Sequence, residues 1–590
     1  MCGIAGIVDF TRPAAAHAER LGAMRARLRH RGPDGQGEYA SGHVSLAHTR
    51  LAILDAAGGA QPMASADGRY VIVYNGELAN ADELRGALDW SFRTRSDTEV
   101  VLAAYALWGD GCIKRLSGMF SFFVWDTARE RGFGGRDRLG VKPFFYAQES
   151  GALVLASEAH AIARTSRERP RLDVAGALDA LVAPCFSGVT RSLFDGVVPL
   201  PPAHTLTVDR DGVHIAEYWD WPCRADASRD ADETRVVSAL RDAVPAAVHR
   251  ALAADVPVGL FSSGGLDSAL LAATMASSAP VRAYTVTFDD QARFDYGRSA
   301  ITSSDDTPYA LEVARELGLD SQLVHVRRDE IAGDLREIAI GNDALPAWEQ
   351  EIAQHRLARA ASASLKAVVV GDAADETHYG YHFLLDPDAL RGPRVVLGRL
   401  GSVPVRREVA LDPVGDAVAS LEALSASRGA SFTEPRERIF AMTYLVVKRW
   451  LPRLLHNGDV HTMRSSLEAR VPFADVELVD LAARIAPEVA LRDGVEKWAL
   501  RESARGRIPE SVRTRRKSAL PKDLDVEPVF REEARKVLQD PSPVVATVVD
   551  LRAIAELLAQ RKPLRESERA ILFRVVSLAH WSRHHEVAAP

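Results

Sequence analysis

VPVGLFSSGGLDSALLAATMA, residues 256–276, decides the fold. Its opening is strand-like, Ser263-Gly-Gly-Leu-Asp-Ser268 is a loop of small residues, and LDSALLAATMA from Leu266 is helix-like. A glycine-rich loop between strand and helix gathers backbone amides and a helix amino terminus around one point, a setting suited to phosphate. It lacks the Gly-Lys-Ser/Thr ending of the nucleotide fingerprint, so γ-phosphate transfer is not implied. Outward from it, RAYTVTF (282–288), PYALEVAREL (308–317), SQLVHV (321–326) and KAVVV (366–370) alternate strand and helix. That rhythm predicts an α/β fold with a doubly wound parallel sheet. Ligands of such sheets bind beyond the carboxyl ends of the strands, so the loops after Ser262, Phe288 and Val370 are the expected site.

Towards the amino terminus the pattern changes to short strands separated by turns: VSLAHTRLAIL (44–54), YVIVYNGE (70–77), MFSFFVWD (119–126), GVKPFFYA (140–147) and ALVLASE (152–158). Residues 1–205 are read as one sheet-rich domain. Residues 206–235, ending in the charged, proline-free CRADASRDADETR, are read as a connector, and 236–590 as the second domain, mostly helical beyond about residue 430.

The chain has 590 residues, 47% hydrophobic and 26% charged, enough for two to four domains at ~150 residues each. Its net charge of -7 offers no general attraction to nucleic acid or anionic membranes. No apolar run reaches the ~18 residues of a membrane span, and the start MCGIAGIVDF lacks a signal peptide's basic flank, so a cytoplasmic location is expected. Cys2, Cys112, Cys185 and Cys223 have no metal-ligand spacing, which argues against structural zinc and disulfides. Cys112 reads as a buried, inert thiol.

Cys2 differs because of its position. Removal of Met1 would put its α-amine, with a pKa of ~7.7 to 8.0, within reach of its own thiol as a general base. Around it stand His30-Arg-Gly-Pro-Asp34, Arg50-Leu-Ala-Ile-Leu-Asp55, Tyr74-Asn-Gly-Glu77 and Ser96-Asp-Thr-Glu99. Together with MCGIAGIV these resemble the glutamine amidotransferase domain of the amino-terminal-nucleophile hydrolases, which implies an αββα fold and glutamine as nitrogen donor. The resemblance makes Cys2 the nucleophile and gives the oxyanion hole to the Asn75 amide and the Gly76 N–H, at what reads as a tight turn. It places glutamine on Arg50, Leu51, Ala52, Ile53, Leu54, Asn75, Gly76, Glu77 and Asp97. Arg50 suits the α-carboxylate, while Glu77 and Asp97 suit the α-ammonium.

The second domain also carries Asp255-Val-Pro-Val-Gly259, Gly371-Asp-Ala-Ala-Asp-Glu376 with Gly380-Tyr381, Leu467-Glu-Ala-Arg-Val-Pro-Phe473, Lys497, Arg501 and Arg515 to Lys517. In this order they resemble the glutamine-hydrolysing asparagine synthetases, whose SGGLDS-type loop belongs to enzymes that split ATP into AMP and pyrophosphate. The resemblance implies that a carboxylate is adenylated and then aminated, with ATP on Ser262, Ser263, Gly264, Gly265, Asp267, Ser268, Val286, Val370 and Gly371. It gives Mg2+ to Asp267 and Asp375, charge compensation to Lys517, and adenylate formation or ammonia attack to Asp372. In RGRIPESVRTRRK, Arg513 and Arg516 read as solvated. The expected partners are glutamine, ATP and a carboxylic acid, and the sequence leaves a homodimer open.

Departures from the family pattern cluster where the acceptor is expected: Ala373 for glycine, His378 for apolar bulk, ALPAWEQE (344–351) with Glu349 as nearest acid, Asp459-Val-His-Thr-Met463 for Asp-Arg-x-Ser-Met, and Ala519-Leu520 for Gly-Phe. Aspartate is the leading acceptor. The alternative is a natural-product or peptide carboxylate, and the departures are expected to alter recognition of aspartate. His378 reads as a packing residue.

Overall fold

A computed structural model describes residues 2–187, 189–223, 229–299 and 302–589. Seventeen strands occur among these residues: β1 (Gly3–Asp9), β2 (Gly35–Ser41), β3 (Val44–Arg50), β4 (Met63–Ala64), β5 (Tyr70–Leu78), β6 (Gly118–Asp126), β7 (Arg131–Arg136), β8 (Phe145–Glu149), β9 (Ala152–Ala156), β10 (Val198–Pro199), β11 (His204–Asp209), β12 (Gly212–Glu217), β13 (Val258–Phe261), β14 (Arg282–Phe288), β15 (Asp320–Val326), β16 (Ala367–Val369) and β17 (Glu468–Arg470).

The first twelve form two antiparallel sheets, ordered β10-β8-β9-β1-β3-β2 and β12-β11-β7-β6-β5-β4. Period-two alternation turns Ile4, Val8, Val44 and Leu46 of one sheet towards Val71, Val73, Phe123 and Trp125 of the other, and these fill the space between them. The outer faces are covered by helices: Ala18–Arg27 buries Leu21 and Met24 on the first sheet, while Asp97–Trp108 buries Val100, Val101 and Leu102 on the second. The layer order is therefore αββα.

The boundary at residue 205 falls inside this sheet. β11 pairs with β7 through Thr205–Gly135 and Val208–Gly132, and Leu206 and Val208 point into the core between the sheets. β12 pairs in turn with β11, carrying the sheet to Glu217. At the other end of the expected connector, the helix Glu233–Ala251 starts at Asp232, whose side chain accepts from Arg235 N at 3.0 Å. Residues 224–228 of the polar stretch lie outside the described residues.

The second sheet system is parallel, ordered β15-β14-β13-β16-β17. β13 ends at Phe261 and the helix Leu266–Ala276 follows; Gly264 turns the loop at φ +64°, where an added Cβ would lie 2.4 Å from Ala310 N. Only glycine fits there. The strand order reverses direction at β13, so the ends of β13, β14 and β16 open a common crevice. Among the described residues, no helix is long and apolar enough to cross a membrane.

Candidate active sites

Cys2 precedes β1, and its backbone nitrogen donates to Asn75 Oδ1 at 3.0 Å. That bond turns the Asn75 amide so that Nδ2, fully buried, has no hydrogen-bond partner among the described residues. A buried donor left unpaired costs about 1–3 kcal/mol, which a developing oxyanion would recover. Asn75-Gly76-Glu77 is not a turn: it lies within β5, opposite Ser121, Phe120 and Met119 of β6. A Cβ at Gly76 would lie 2.4 Å from Met119 O, so the neighbouring strand, rather than a turn conformation, demands glycine. Burial pushes the Cys2 thiol above its ordinary range, so a base is needed to ionise it.

Cys2, Leu51, Ile53, Leu54, Gly76, Glu77 and Asp97 line a cavity of about 440 Å³, but Ala52 does not. Its N–H instead donates to Asp34 Oδ2 at 2.8 Å. Arg50 reaches the cavity already engaged, its Nη1 donating to Ala56 O at 2.7 Å and its Nη2 to Asp55 O at 2.6 Å. It thus holds the loop around the cavity, instead of presenting a free fork as expected. Asp97 Oδ2 accepts from Tyr74 OH at 3.1 Å and Leu78 N at 3.0 Å, and burial raises its pKa. Burial likewise pushes Glu77 up to about 8, against the pull of Arg470 at 2.7 Å.

Arg470 belongs to β17 of the parallel sheet, so the second domain completes the wall of the first cavity. Its carbonyl accepts from Val370 N at 2.9 Å, directly before Gly371 and Asp372. A second link runs through Arg31, fully buried: Nε donates to Cys2 O at 3.1 Å, Nη1 to Glu158 at 2.7 Å and Nη2 to Asp459 Oδ2 at 2.7 Å. Asp459 follows Gly458 in the helix Leu451–Met463, and a Cβ at Gly458 would lie 3.3 Å from Asp372 Oδ2. Neither Arg31 nor Arg470 is given a role by the sequence alone, because the carboxylates that they reach in the other domain, Asp459 and Glu77, lie hundreds of residues away.

At the crevice, Lys497 Nζ contacts Asp267 at 2.7 and 2.8 Å and Asp375 at 2.6 Å, and Lys517 Nζ contacts Asp375 at 2.5 Å. Burial opposes ionisation of Asp375, but Lys497 and Lys517 overcome it and hold the carboxyl well below its usual range. Asp372 is pushed up to about 6, by burial first and by Asp375 and Asp267 in addition. In the loop, Ser263 N donates to Ser268 Oγ at 3.2 Å and Gly265 N to Ser263 Oγ at 3.4 Å, while Arg515 Nη1 donates to Gly264 O at 3.3 Å. Ser262 is buried beside it, and Val286 is buried within β14. Val370 and Gly371 continue from β16, a Cβ on Gly371 meeting Asp267 Cβ at 3.3 Å.

Ala373 adopts φ 72°, the left-handed region that glycine occupies without penalty. His378 is buried, its Nδ1 2.8 Å from Thr377 Oγ1 and its ring edge-on to Phe473; burial lowers its pKa to about 3, so it packs as a neutral ring. Glu349 lies 3.4 Å from Lys522 and 3.8 Å from Arg569. Arg513 is not solvated: it is buried and paired with Glu502 and Glu510 at 2.6 Å. Arg516 is exposed. All four cysteines are free and buried.

A glutamine amidotransferase domain model matches residues 1–219, and the asparagine synthase model matches 239–583. The chain belongs to the asparagine synthase family, and it is a glutamine-dependent carbon–nitrogen ligase. It is 31% identical over 583 residues to asparagine synthetase [glutamine-hydrolyzing] 3 of Bacillus subtilis (strain 168), covering 95% of this chain and 93% of that one. It is 28% identical over 536 residues to asparagine synthetase B [glutamine-hydrolyzing] of Escherichia coli (strain K12), covering 88% and 81%. "Amidase chry2" of Gibberella zeae is 26% identical over 612 residues, covering 88% of each chain.

Proposed function

We propose that this enzyme converts aspartate to asparagine, taking nitrogen from glutamine and energy from the cleavage of ATP to AMP and pyrophosphate. The observation that carries the reading is the polar chain Cys2–Arg31–Asp459, which ends beside Asp372 and joins a thiol site to a carboxylate-rich nucleotide crevice. Aspartate as the acceptor is supported by the asparagine synthetases that match along most of the chain.

In the first site, the Cys2 α-amine takes the thiol proton and the thiolate attacks the glutamine side-chain amide. Asn75 Nδ2 and the Gly76 N–H meet the oxyanion, and the protonated Cys2 α-amine gives its proton to the leaving nitrogen as the carbon–nitrogen bond breaks, so that ammonia departs from the tetrahedral intermediate. Glu77 and Asp97 hold the glutamine α-ammonium, whose charge favours their ionised forms against the burial that raises both pKa values. Water later releases glutamate from the thioester. In the second site, the acceptor carboxylate attacks the α-phosphorus of ATP, displacing pyrophosphate and giving an acyl adenylate. Ammonia then attacks the acyl carbon and AMP departs, Asp372 accepting the proton shed by the attacking nitrogen. Lys517 offsets charge on the leaving phosphates.

Asp267 and Asp375 fit a magnesium ion, being hard oxygen donors that already converge on one cation, Lys497 Nζ. When bound, that ion would neutralise charge on the pyrophosphate. The test is mass spectrometry of products after incubation with ATP, magnesium, glutamine and a panel of carboxylic acids. Asparagine with stoichiometric AMP supports the proposal; amidation of another acid in preference to aspartate overturns the acceptor.

The raised pKa of Asp372 gives a stability prediction. With a folded pKa of about 6 against ~3.9 unfolded, the folded state binds more protons between those values, so ionisation costs stability as pH rises through that window. Asp372→Asn is therefore expected to abolish synthesis yet raise Tm by roughly 1–3 °C at pH 7.5, the gain vanishing by about pH 4. Thermal unfolding at both pH values checks this; a lower Tm at pH 7.5 contradicts it.

A further inference from the structure

Two of the departures from the family pattern, ALPAWEQE and Asp459-Val-His-Thr-Met463, meet in the structure. His461 Nε2 lies 2.6 Å from Glu351 Oε2, and both side chains are buried. Glu351 also turns back on its own loop, Oε1 accepting from Ala347 N at 2.5 Å and Trp348 N at 3.1 Å. The loop is held at two further points by the same helix, Leu451–Met463: Arg453 Nη1 donates to Ala344 O at 2.8 Å, and Asn342 Nδ2 donates to Asn457 Oδ1 at 2.9 Å. Arg453, Asn457 and His461 recur every fourth residue, so they form one stripe along the helix. Leu345, in the middle of the clamped segment, sits at φ 66°, a conformation that an unrestrained leucine avoids.

The adjoining face of that helix serves the reaction centre, with Gly458 against the Asp372 carboxylate and Asp459 bonded to Arg31. The far end of the loop is tied to the segment that follows Lys517 of the crevice, Glu349 lying 3.4 Å from Lys522. One rigid helix therefore fixes both the acidic residue at the acyl centre and the shape of segment 342–349 beside it.

We propose that the Arg453–Asn457–His461 stripe moulds segment 342–349 into the wall that selects the acceptor acid, with Glu351–His461 as its positioning contact. This rests on the reading of the second domain as a carboxylate-adenylating site. Neither residue touches the reacting atoms. Each acts through the backbone of Ala347 and Trp348, so its loss changes how an acid fits while the chemical groups remain.

The test measures KM and kcat for aspartate and for glutamate, malonate and succinate in the full-length enzyme, with saturating ATP and ammonia. His461→Phe and Glu351→Gln are expected to raise the KM for the best acceptor about tenfold and to alter its preference over the others, with kcat within about threefold. His461→Gln, which keeps a donor for Glu351, is expected to recover most of the loss. Glutamine hydrolysis and the KM for ATP are expected to remain within about twofold, because Cys2 and the Ser263–Ser268 loop are untouched. Unchanged acceptor KM and ranking in both variants would overturn the inference. Parallel loss of acceptor, ATP and glutaminase parameters with a lower Tm would also overturn it, assigning the pair to folding alone. Wild-type enzyme that aminates none of the acids while hydrolysing glutamine would instead remove the adenylation reading, and this inference with it.

Discussion

Cys2→Ala abolishes glutamine hydrolysis, with an expected loss of about 10⁴-fold or more, and leaves amide synthesis from ammonium salts measurable. The asymmetry follows from the architecture. Cys2, the proposed nucleophile, lies just ahead of β1 of the first antiparallel sheet and the proposed oxyanion donors Asn75 and Gly76 lie on β5 of the second, while the carboxylate crevice is built at the end of the parallel sheet. Alanine removes the thiol but keeps the backbone nitrogen that bonds Asn75 and the carbonyl that receives Arg31, so the links between sites persist. An added residue ahead of Cys2 should match the loss by another route, since it converts the amine into a peptide nitrogen that accepts no proton. Asn75→Ala removes a buried amide donor that has no partner among the described residues and should cost about 10²–10³ in kcat. Glutamate release measured with each variant checks all three. Full glutaminase activity in Cys2→Ala would refute the assignment of the nucleophile, and loss of the ammonia-dependent reaction would refute independence of the second site.

The parallel sheet was legible because each strand and helix is encoded locally: the VPVGLFS strand and the helix from Leu266 appear where the apolar pattern changes period. The hairpin His204–Glu217 had a signal that went unused. Leu206 and Val208 alternate with polar residues ahead of Arg210-Asp211, the two-residue turn that Gly212 follows at the start of the next strand. The Asn-Gly-Glu stretch misled for a different reason. Its composition favours a turn, but pairing with β6 overrides local propensity, and no short-range feature of the sequence reports that partner. Arg31, Arg470 and Lys497 define the general limit. Each is a buried cation whose meaning lies in carboxylates far along the chain, so residue type and spacing raise the question without answering it.

Asp267→Asn is the complementary case: amide synthesis should fall about 10²-fold or more from either nitrogen source, while glutamine hydrolysis persists. Asp267 lies in the first turn of the helix Leu266–Ala276, directly after the Gly264–Gly265 turn, and Gly371 packs against its Cβ. Its carboxylate and that of Asp375 bracket Lys497, whose side chain is buried. Replacing one carboxylate with an amide leaves that ammonium with a single strong partner, and a buried charge that loses a partner is costly, about 3–5 kcal/mol where no relaxation occurs. The variant should therefore show a lower Tm, and added ATP with magnesium should recover less stability than in the wild type, since ligand stabilisation scales with affinity. Product identity separates the proposed chemistry from its main competitor. Adenylation yields AMP and pyrophosphate in equal amounts to the amide, whereas a phosphorylated acid intermediate yields ADP and phosphate. The loop's want of a Gly-Lys-Ser/Thr ending favours the first, because no lysine within it is positioned on a γ-phosphate. ADP as the nucleotide product, or normal synthesis by Asp267→Asn, would show that the crevice works by some other route.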